Sequence, residues 1–591
     1  MTTKKNAPSA TRSPAKRRAS KRAEPAAISD NTAELIQAAS NNTLAASPLI
    51  GLSARDVGAA AGAMIDAVIR TPGEAKRHLG NLGREVRAVL KGESSLAPNP
   101  KDRRFADPAW QGNFVLKGLL QTYLATQREL DRFIDAADIS PVKKGRAQFL
   151  SSIVVDALAP SNWPLANPTA IRKALDTGGA NYKQGIRNLI ADIRHNNGLP
   201  SQVDSEPFKV GVNVATTPGE VVFRNEMFEL LQFRPTTAKV HQRPLVMSPP
   251  QINKYYMIDL APEKSLIKWA TDSGIQFFCI SWRNPKAEHR DWGLADYVRC
   301  LDQAVDVARE ITGSPDVNMW GSCSGGLTLA AYLAWLAGRG EQNKVANTTW
   351  AVCVLNTKIT VDETTIGLFT TPKSMAKAKA ASRKKGRITG AELARMFAWM
   401  RPNDLIWNYW VNNYLLGNKP PAFDILAWNN DTTHLPAQLH ADYLDLVERN
   451  PYANPGAMEI DGVPIDMRKV KVGAYVIGGT TDHITPWHGC YGSARLLGPD
   501  TTFVLANAGH LQCFVNPPGN PKSFYFMAPA KARDANAWLK SAGAQVSGSW
   551  WPHWREWIQA RSGNEVNAPT QLGSASYAPL CAAPGTYVLE K

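Results

Sequence analysis

No apolar run in this 591-residue chain reaches the ~18 residues that a membrane-spanning helix needs; the longest candidate is Leu327 to Ala337. The first residues are basic but lack both an apolar core and a small-residue cleavage site, so nothing points to secretion. Cysteine is scarce. The seven (279, 300, 323, 353, 490, 513, 581) form no CxxC pair, and no His or Cys spacing suits zinc. An odd, scattered set reads as reduced thiols in a cytosol, with no metal or resident cofactor expected. No internal repeat is evident either.

Acidic residues are missing from two places. One holds Lys4, Lys5, Arg12, Lys16, Arg17, Arg18, Lys21 and Arg22. The other holds Lys373, Lys377, Lys379, Arg383, Lys384, Lys385 and Arg387. These segments account for nearly all of the net charge of +16, so the rest of the chain is almost neutral and a nucleic-acid partner is not expected. Residues 1–30, rich in Ala, Ser, Pro and Lys, cannot bury enough apolar surface to fold and read as a solvated tail. With 44% hydrophobic residues and 18 tryptophans, the remainder is globular and long enough for more than one domain.

From 31 to about 205 the pattern is helical. Asp107-Pro108 looks like a helix start, and Leu116, Leu119, Leu120, Tyr123, Leu124, Leu130, Phe133 and Ile134 repeat at helical spacing. The stretch 196–200 breaks it. From 206 onward, strand-like runs alternate with helices: Val221–Phe233, Leu245–Met247, Ile275–Trp282, Val317–Trp320, Trp350–Leu355, Val472–Ile477 and Thr502–Leu505. That order predicts an α/β fold with a mostly parallel sheet, and a tryptophan-rich cap (Trp399, Trp407, Trp410, Trp428) inserted at about 356–470.

The chemistry concentrates at Gly321-Ser322-Cys323-Ser324-Gly325-Gly326, between a strand and a helix. This is the setting of a nucleophile elbow, with cysteine where a lipase carries serine. In such a sheet the acid and then the histidine follow on loops after later strands. Asp482 follows the run Val472–Ile477 and His510 follows Thr502–Leu505, which predicts a Cys323–Asp482–His510 triad. The oxyanion donors are expected to be the amides of Ser324 and of the loop after Leu245–Met247, with Ile252 as the candidate. His483 borders Asp482 and reads as a packing residue; His434, His440 and His488 read as structural or surface residues. A cysteine nucleophile suits a thioester substrate, because thiol exchange keeps the acyl group activated.

The segments PPQINKYYMIDL (249–260), SWRNP (281–285), GSCSGG (321–326), NDLIWNYWVNNYLLGN (403–418), FDILAWNNDTTHLP (423–436), TDHITPW (481–487), GHLQCFVNPPGNPK (509–522) and SWWPHWREWIQARSG (549–563) resemble polyhydroxyalkanoate synthases. Within that family the chain is similar to single-subunit synthases of the pseudomonad type, which prefer medium-chain monomers. The resemblance implies an α/β-hydrolase fold and the same triad, with Asp482 either activating the 3-hydroxyl of the growing chain directly or only holding the imidazole. It also implies polymerisation of (R)-3-hydroxyacyl-CoA into polyester with release of coenzyme A, on a homodimer at the surface of cytoplasmic storage granules, where granule-associated proteins gather. Lys384, Lys385 and Arg387 are then candidates for contact with coenzyme A phosphates or an anionic granule surface. A Cys-type hydrolase such as a dienelactone-hydrolase-like enzyme, or an inactive granule scaffold, would share parts of this pattern.

Overall fold

The computed structural model describes residues 72–196, 198–359, 370–394 and 403–591. The expected tail, the helical stretch before residue 72 and Trp399 lie outside the described residues.

Five longer helices come first: α1 (Pro72–Leu90), α2 (Phe114–Ala136), α3 (Pro141–Ala157), α4 (Pro168–Asp176) and α5 (Ala180–His195); the short α6 (Leu266–Thr271) follows among the strands. The expected helix start at Asp107-Pro108 gives only a four-residue turn, Ala109–Gly112. The long helix begins afterwards, because the Asn113 side chain accepts from the amides of Val115 and Leu116 and caps α2. Leu120, Tyr123, Phe133 and Ile134 are buried as the spacing requires, whereas Leu119 is exposed.

The rest of the chain is built on an eleven-stranded sheet. Its strands are β1 (Gly219–Arg224), β2 (Phe228–Phe233), β3 (Leu245–Ser248), β4 (Phe277–Trp282), β5 (Val317–Ser322), β6 (Val345–Ala351), β7 (Gly473–Gly479), β8 (Thr501–Ala506), β9 (Phe524–Pro529), β10 (Val546–Ser547) and β11 (Cys581–Ala582). The spatial order is β10-β9-β8-β7-β6-β5-β3-β4-β2-β1-β11. The six from β8 to β4 run parallel, with antiparallel strands added at both edges. The run expected as one strand at Val221–Phe233 is a hairpin, since Asn225 turns the chain by accepting from the amides of Met227 and Phe228. The strand expected at Trp350–Leu355 starts earlier and ends at Ala351.

Alternation along the strands feeds two cores. Val246, Phe278, Ile280, Met319, Val476 and Phe503 join one core with α7 (Leu294–Thr312) and α8 (Ser324–Arg339). Leu245, Met247, Phe277, Cys279, Trp320, Ile477 and Val504 point the other way, towards Trp550, Trp551 and Trp554 near the C-terminus. Trp320 and Trp554 meet edge to face at 5.0 Å, a geometry worth about 0.5–1.5 kcal/mol beyond burial.

Strand order reverses at β3: β4 lies on one side of it and β5 on the other. Open α/β sheets offer their ligand crevice at the carboxyl ends of strands at such a switch point. Between β6 and β7 lies the insertion, with α9 (Pro372–Lys385), α10 (Asp424–Asn430) and α11 (Ala437–Arg449). It also carries two ribbons of two-residue strands, too short to leave any periodicity in the sequence. The N-terminal helices dock on it. Gly185 of α5 packs against the Tyr414 backbone, the Tyr414 hydroxyl donates to Asp192 at 2.7 Å, and Asn181 donates to the Leu415 carbonyl at 2.8 Å.

Candidate active site

Cys323 stands between β5 and α8 with φ 50° and ψ −121°, a conformation that costs a non-glycine residue about 1–3 kcal/mol. Tight packing around the turn holds it there. A Cβ on Gly321 would lie 2.8 Å from the Gly326 Cα. One on Gly325 would lie 2.3 Å from the Ser248 carbonyl oxygen, and one on Gly326 would lie 2.6 Å from the Cys353 sulfur. Starting α8 at once leaves its first amides without a carbonyl one turn back, so Ser324 N–H and the positive end of the helix dipole sit beside the thiol.

Asp482 and His510 follow β7 and β8 and meet behind the cysteine. The His510 Nδ1 lies 2.7 Å from Asp482 Oδ2, and both side chains are fully enclosed. Burial would push the Asp482 carboxyl up, but the His510 charge and hydrogen bond, with the Thr485 hydroxyl and amide, hold it below its ordinary value. Burial would likewise pull the imidazole down. The charge and hydrogen bond of Asp482, with Cys323 nearby, outweigh that and raise it to about 10. The other face, Nε2, is buried without a hydrogen-bond partner of normal geometry among the described residues.

Every acceptor site of Asp482 is engaged. Its Oδ1 takes the amides of Ile484 at 2.9 Å and Thr485 at 3.0 Å; its Oδ2 takes the Thr485 hydroxyl at 2.6 Å as well as the imidazole. Thr485 also lies 3.1 Å from His510 Nδ1. The sequence reading missed this residue. Its signal was an Asp followed three positions later by Thr, a turn in which the carboxylate caps the chain it has just left.

Burial pushes the thiols of Cys279, Cys353, Cys490 and Cys513 well up and that of Cys300 to about 12, so these are held as neutral thiols. All seven cysteines are unbridged. Among the described residues no group of three or more His, Cys, Asp or Glu is placed to hold a metal ion, and no helix is long and apolar enough to cross a membrane.

The loop after β3 presses on the elbow, as the close approach of Gly325 to the Ser248 and Pro249 carbonyls shows. Ile252 lies in that loop, nearly buried, with its carbonyl accepting from the Thr433 amide at 3.4 Å. Gln251 ties the loop to α8: its amide nitrogen donates to Thr328 at 2.9 Å while Tyr443 donates to its oxygen at 2.7 Å. Thr433 was not anticipated, and Gln251 was expected only as a member of the donor loop, because their partners are remote in sequence. A cavity of about 440 Å³ lies behind this loop, bordered by Lys254, Tyr256, Trp428 and Asp431; no triad residue lines it.

The basic run is not brought to the triad by any of these contacts, and it is not bare of acids. Within and beyond α9, Lys379 pairs with Asp445 at 2.7 Å, Arg383 with Asp291 at 2.8 Å and Lys385 with Glu392, while Arg387 donates to the Pro285 carbonyl at 3.2 Å. Lys384 is exposed. Two acids distant in sequence, Asp291 and Asp445, and the nearby Glu392 thus answer a segment that contains none. Of the other histidines, His440 bonds Ser382 at 2.9 Å and His434 accepts from the Gly390 amide at 3.1 Å, both inside the insertion.

Residues 101–270 match the model of the poly-beta-hydroxybutyrate polymerase (PhaC) N-terminus, and residues 253–517 match the alpha/beta hydrolase fold. The chain is 47% identical to poly(3-hydroxyalkanoate) polymerase 1 of Ectopseudomonas oleovorans, over 95% of this chain and 99% of that one. It is 46% identical to polymerase 2 of the same organism, over 92% and 96%. To the poly(3-hydroxyalkanoate) polymerase subunit PhaC of Cupriavidus necator it is 38% identical, over 87% and 88%.

Proposed function

Since the chain belongs to the poly(3-hydroxyalkanoate) polymerase family and is a polyester-forming acyltransferase, we propose that Cys323 is the residue on which the polyester grows. The observation that carries this reading is a buried His510–Asp482 pair beside a cysteine held at a helix N-terminus. The His510 imidazole takes the thiol proton, and the thiolate attacks the carbonyl carbon of an (R)-3-hydroxyacyl-CoA. The C–S bond to coenzyme A then breaks, and His510 returns the proton to the departing thiolate. Ser324 N–H and Ile252 N–H receive the negative charge that builds on the carbonyl oxygen, each donor contributing on the order of 10²–10³ in rate.

Chain growth repeats the step with oxygen. The 3-hydroxyl of one acyl thioester attacks the carbonyl of another, an ester bond forms, a thioester bond breaks, and His510 takes the hydroxyl proton and hands it to the departing thiolate. Asp482 orients and charges the imidazole and does not itself take the hydroxyl proton. Its four acceptor sites are already filled and its side chain is sealed from solvent, which leaves no face for substrate.

With Cys323 only 4% exposed, a substrate as large as acyl-CoA reaches it only after the insertion moves. Medium-chain monomers are the proposed preference, as the resemblance to pseudomonad-type synthases implies. Dimerisation and attachment to the granule surface are proposed for the N-terminal helices, where Leu165, Leu175, Ile186, Ile190 and Ile193 are exposed; the last three form one stripe along α5. Lys384 is proposed to assist coenzyme A or granule binding from the insertion. Incubation with (R)-3-hydroxyacyl-CoA of increasing chain length tests the whole reading. Polymer with stoichiometric coenzyme A is expected; free hydroxy acid in its place makes the protein a hydrolase and overturns it.

A further inference from the structure

The loop 249–254 is gripped from outside by its carbonyls. Pro249 O accepts from the Trp282 indole at 3.0 Å, Gln251 O from the Thr433 hydroxyl at 2.9 Å, Ile252 O from the Thr433 amide at 3.4 Å, and Lys254 O from the Trp428 indole at 2.7 Å. Asn253 and Thr432 form an antiparallel bridge between the two segments. The Lys254 ammonium pairs with Asp431 at 3.0 Å and donates to the Val588 carbonyl at 2.6 Å. Trp428, Asp431, Thr432 and Thr433 all belong to the insertion, while the loop they hold belongs to the sheet.

Peptide planarity turns this grip into chemistry. In a trans peptide the C=O and N–H point in opposite directions, so fixing the Gln251 carbonyl fixes the direction of the Ile252 N–H. Thr433 holds that carbonyl through its hydroxyl and the next one through its amide, and it is 2% exposed, so no water competes for the bond. We propose that Thr433 is a positioning residue for the reaction: it aims the Ile252 amide as oxyanion donor, and so makes acylation of Cys323 depend on the insertion being seated. The inference rests on the reading of Cys323 as nucleophile and Ile252 as donor. When the insertion lifts to admit substrate, the aim is released; when it settles, the donor is restored. Acylation then waits for closure, which keeps water from competing while the thioester is polarised.

The test compares two reactions of the same thiol. Release of the first equivalent of coenzyme A from (R)-3-hydroxyacyl-CoA passes through an oxyanion; alkylation by iodoacetamide, a displacement of iodide at carbon, does not. Thr433→Val keeps shape and amide but loses the hydroxyl. It should slow coenzyme A release by roughly 10- to 100-fold, up to the effect of losing a donor outright, with the alkylation rate unchanged. Thr433→Ser should restore release. Unchanged release in Thr433→Val, an equal fall in both reactions, or failure of the serine variant to restore release each overturns the inference. Release that survives Cys323→Ala overturns the nucleophile assignment itself, and the inference with it. Release abolished by Cys323→Ala yet untouched by Thr433→Val overturns the inference alone.

Discussion

Placing one methyl group on Gly325 or on Gly326 should have opposite consequences for rescue, because the two positions meet different kinds of neighbour. A Cβ on Gly325 lies 2.3 Å from the Ser248 carbonyl oxygen and 2.6 Å from that of Pro249, both backbone atoms at the root of the oxyanion loop. Ordinary contact begins at 3.4 Å, so helix and loop must part by about 1 Å, a misplacement that can cost an active site on the order of 10² in rate. That is ~2.7 kcal/mol of activation free energy, added to roughly 1–3 kcal/mol of lost stability from overpacking. A Cβ on Gly326 instead lies 2.6 Å from the Cys353 sulfur, a side-chain atom that mutation can remove. Coenzyme A release in a rapid-mixing assay, with thermal unfolding alongside, separates the two. Gly325→Ala should fold yet release coenzyme A about 10²-fold more slowly, and Cys353→Ala should not help it. Gly326→Ala should recover much of its loss when combined with Cys353→Ala. Wild-type release in Gly325→Ala, or equal rescue of both variants, refutes the claim that the loop's distance from the elbow sets the rate.

Cys323→Ala should abolish both coenzyme A release and polymer, and Cys323→Ser should retain traces at most, because a hydroxyl ionises far less readily beside the same imidazole; full activity in either removes the covalent route. The Asp482–His510 pair makes a pH prediction. His510, raised to about 10, contributes stability that is complete below the unfolded value of ~6.5 and is lost as pH rises towards about 10. Asp482, held low, contributes above ~3.9 and loses its contribution as pH falls through its lowered value. Urea denaturation across pH should show Asp482→Asn losing the alkaline decline; an identical decline in both proteins refutes the coupling. Converting Ile186, Ile190 and Ile193 to Asp should reduce dimer seen by sedimentation with little change in unfolding temperature, since all three are exposed; unchanged association moves the interface elsewhere. Neutralising Lys384, Lys385 and Arg387 together should raise KM for acyl-CoA at low salt and flatten its salt dependence. An unchanged KM assigns the run to holding the insertion together, as the Lys385–Glu392 pair already does.

The chain's order of chemistry was legible before its shape. The elbow glycines and the strand–turn–helix rhythm around Cys323 are local, and local sterics dictate them. Asp482 and His510 could be located because each directly follows an apolar run, and a parallel sheet gathers the ends of such runs on one edge. Boundaries were less legible. Asn113 displaced a helix start by capping a competing one, and Asn225 folded one apolar run into two strands. What composition could not reveal is which groups far apart in sequence answer one another. The acid-free basic run finds Asp291 and Asp445 only after folding. The saturation of Asp482, which favours the proposed orienting role over deprotonation of a substrate, needs the coordinates of every donor around it. Thr433 and Gln251 lie 182 positions apart and meet at 2.9 Å. The sequence alone placed the candidate nucleophile, its candidate partners and their order, since these follow from short-range backbone geometry repeated at strand ends. Only the tertiary structure decided how the carbonyls of the oxyanion loop are held and by which element, because a hydrogen bond between remote segments leaves no period, spacing or composition in the chain that makes it.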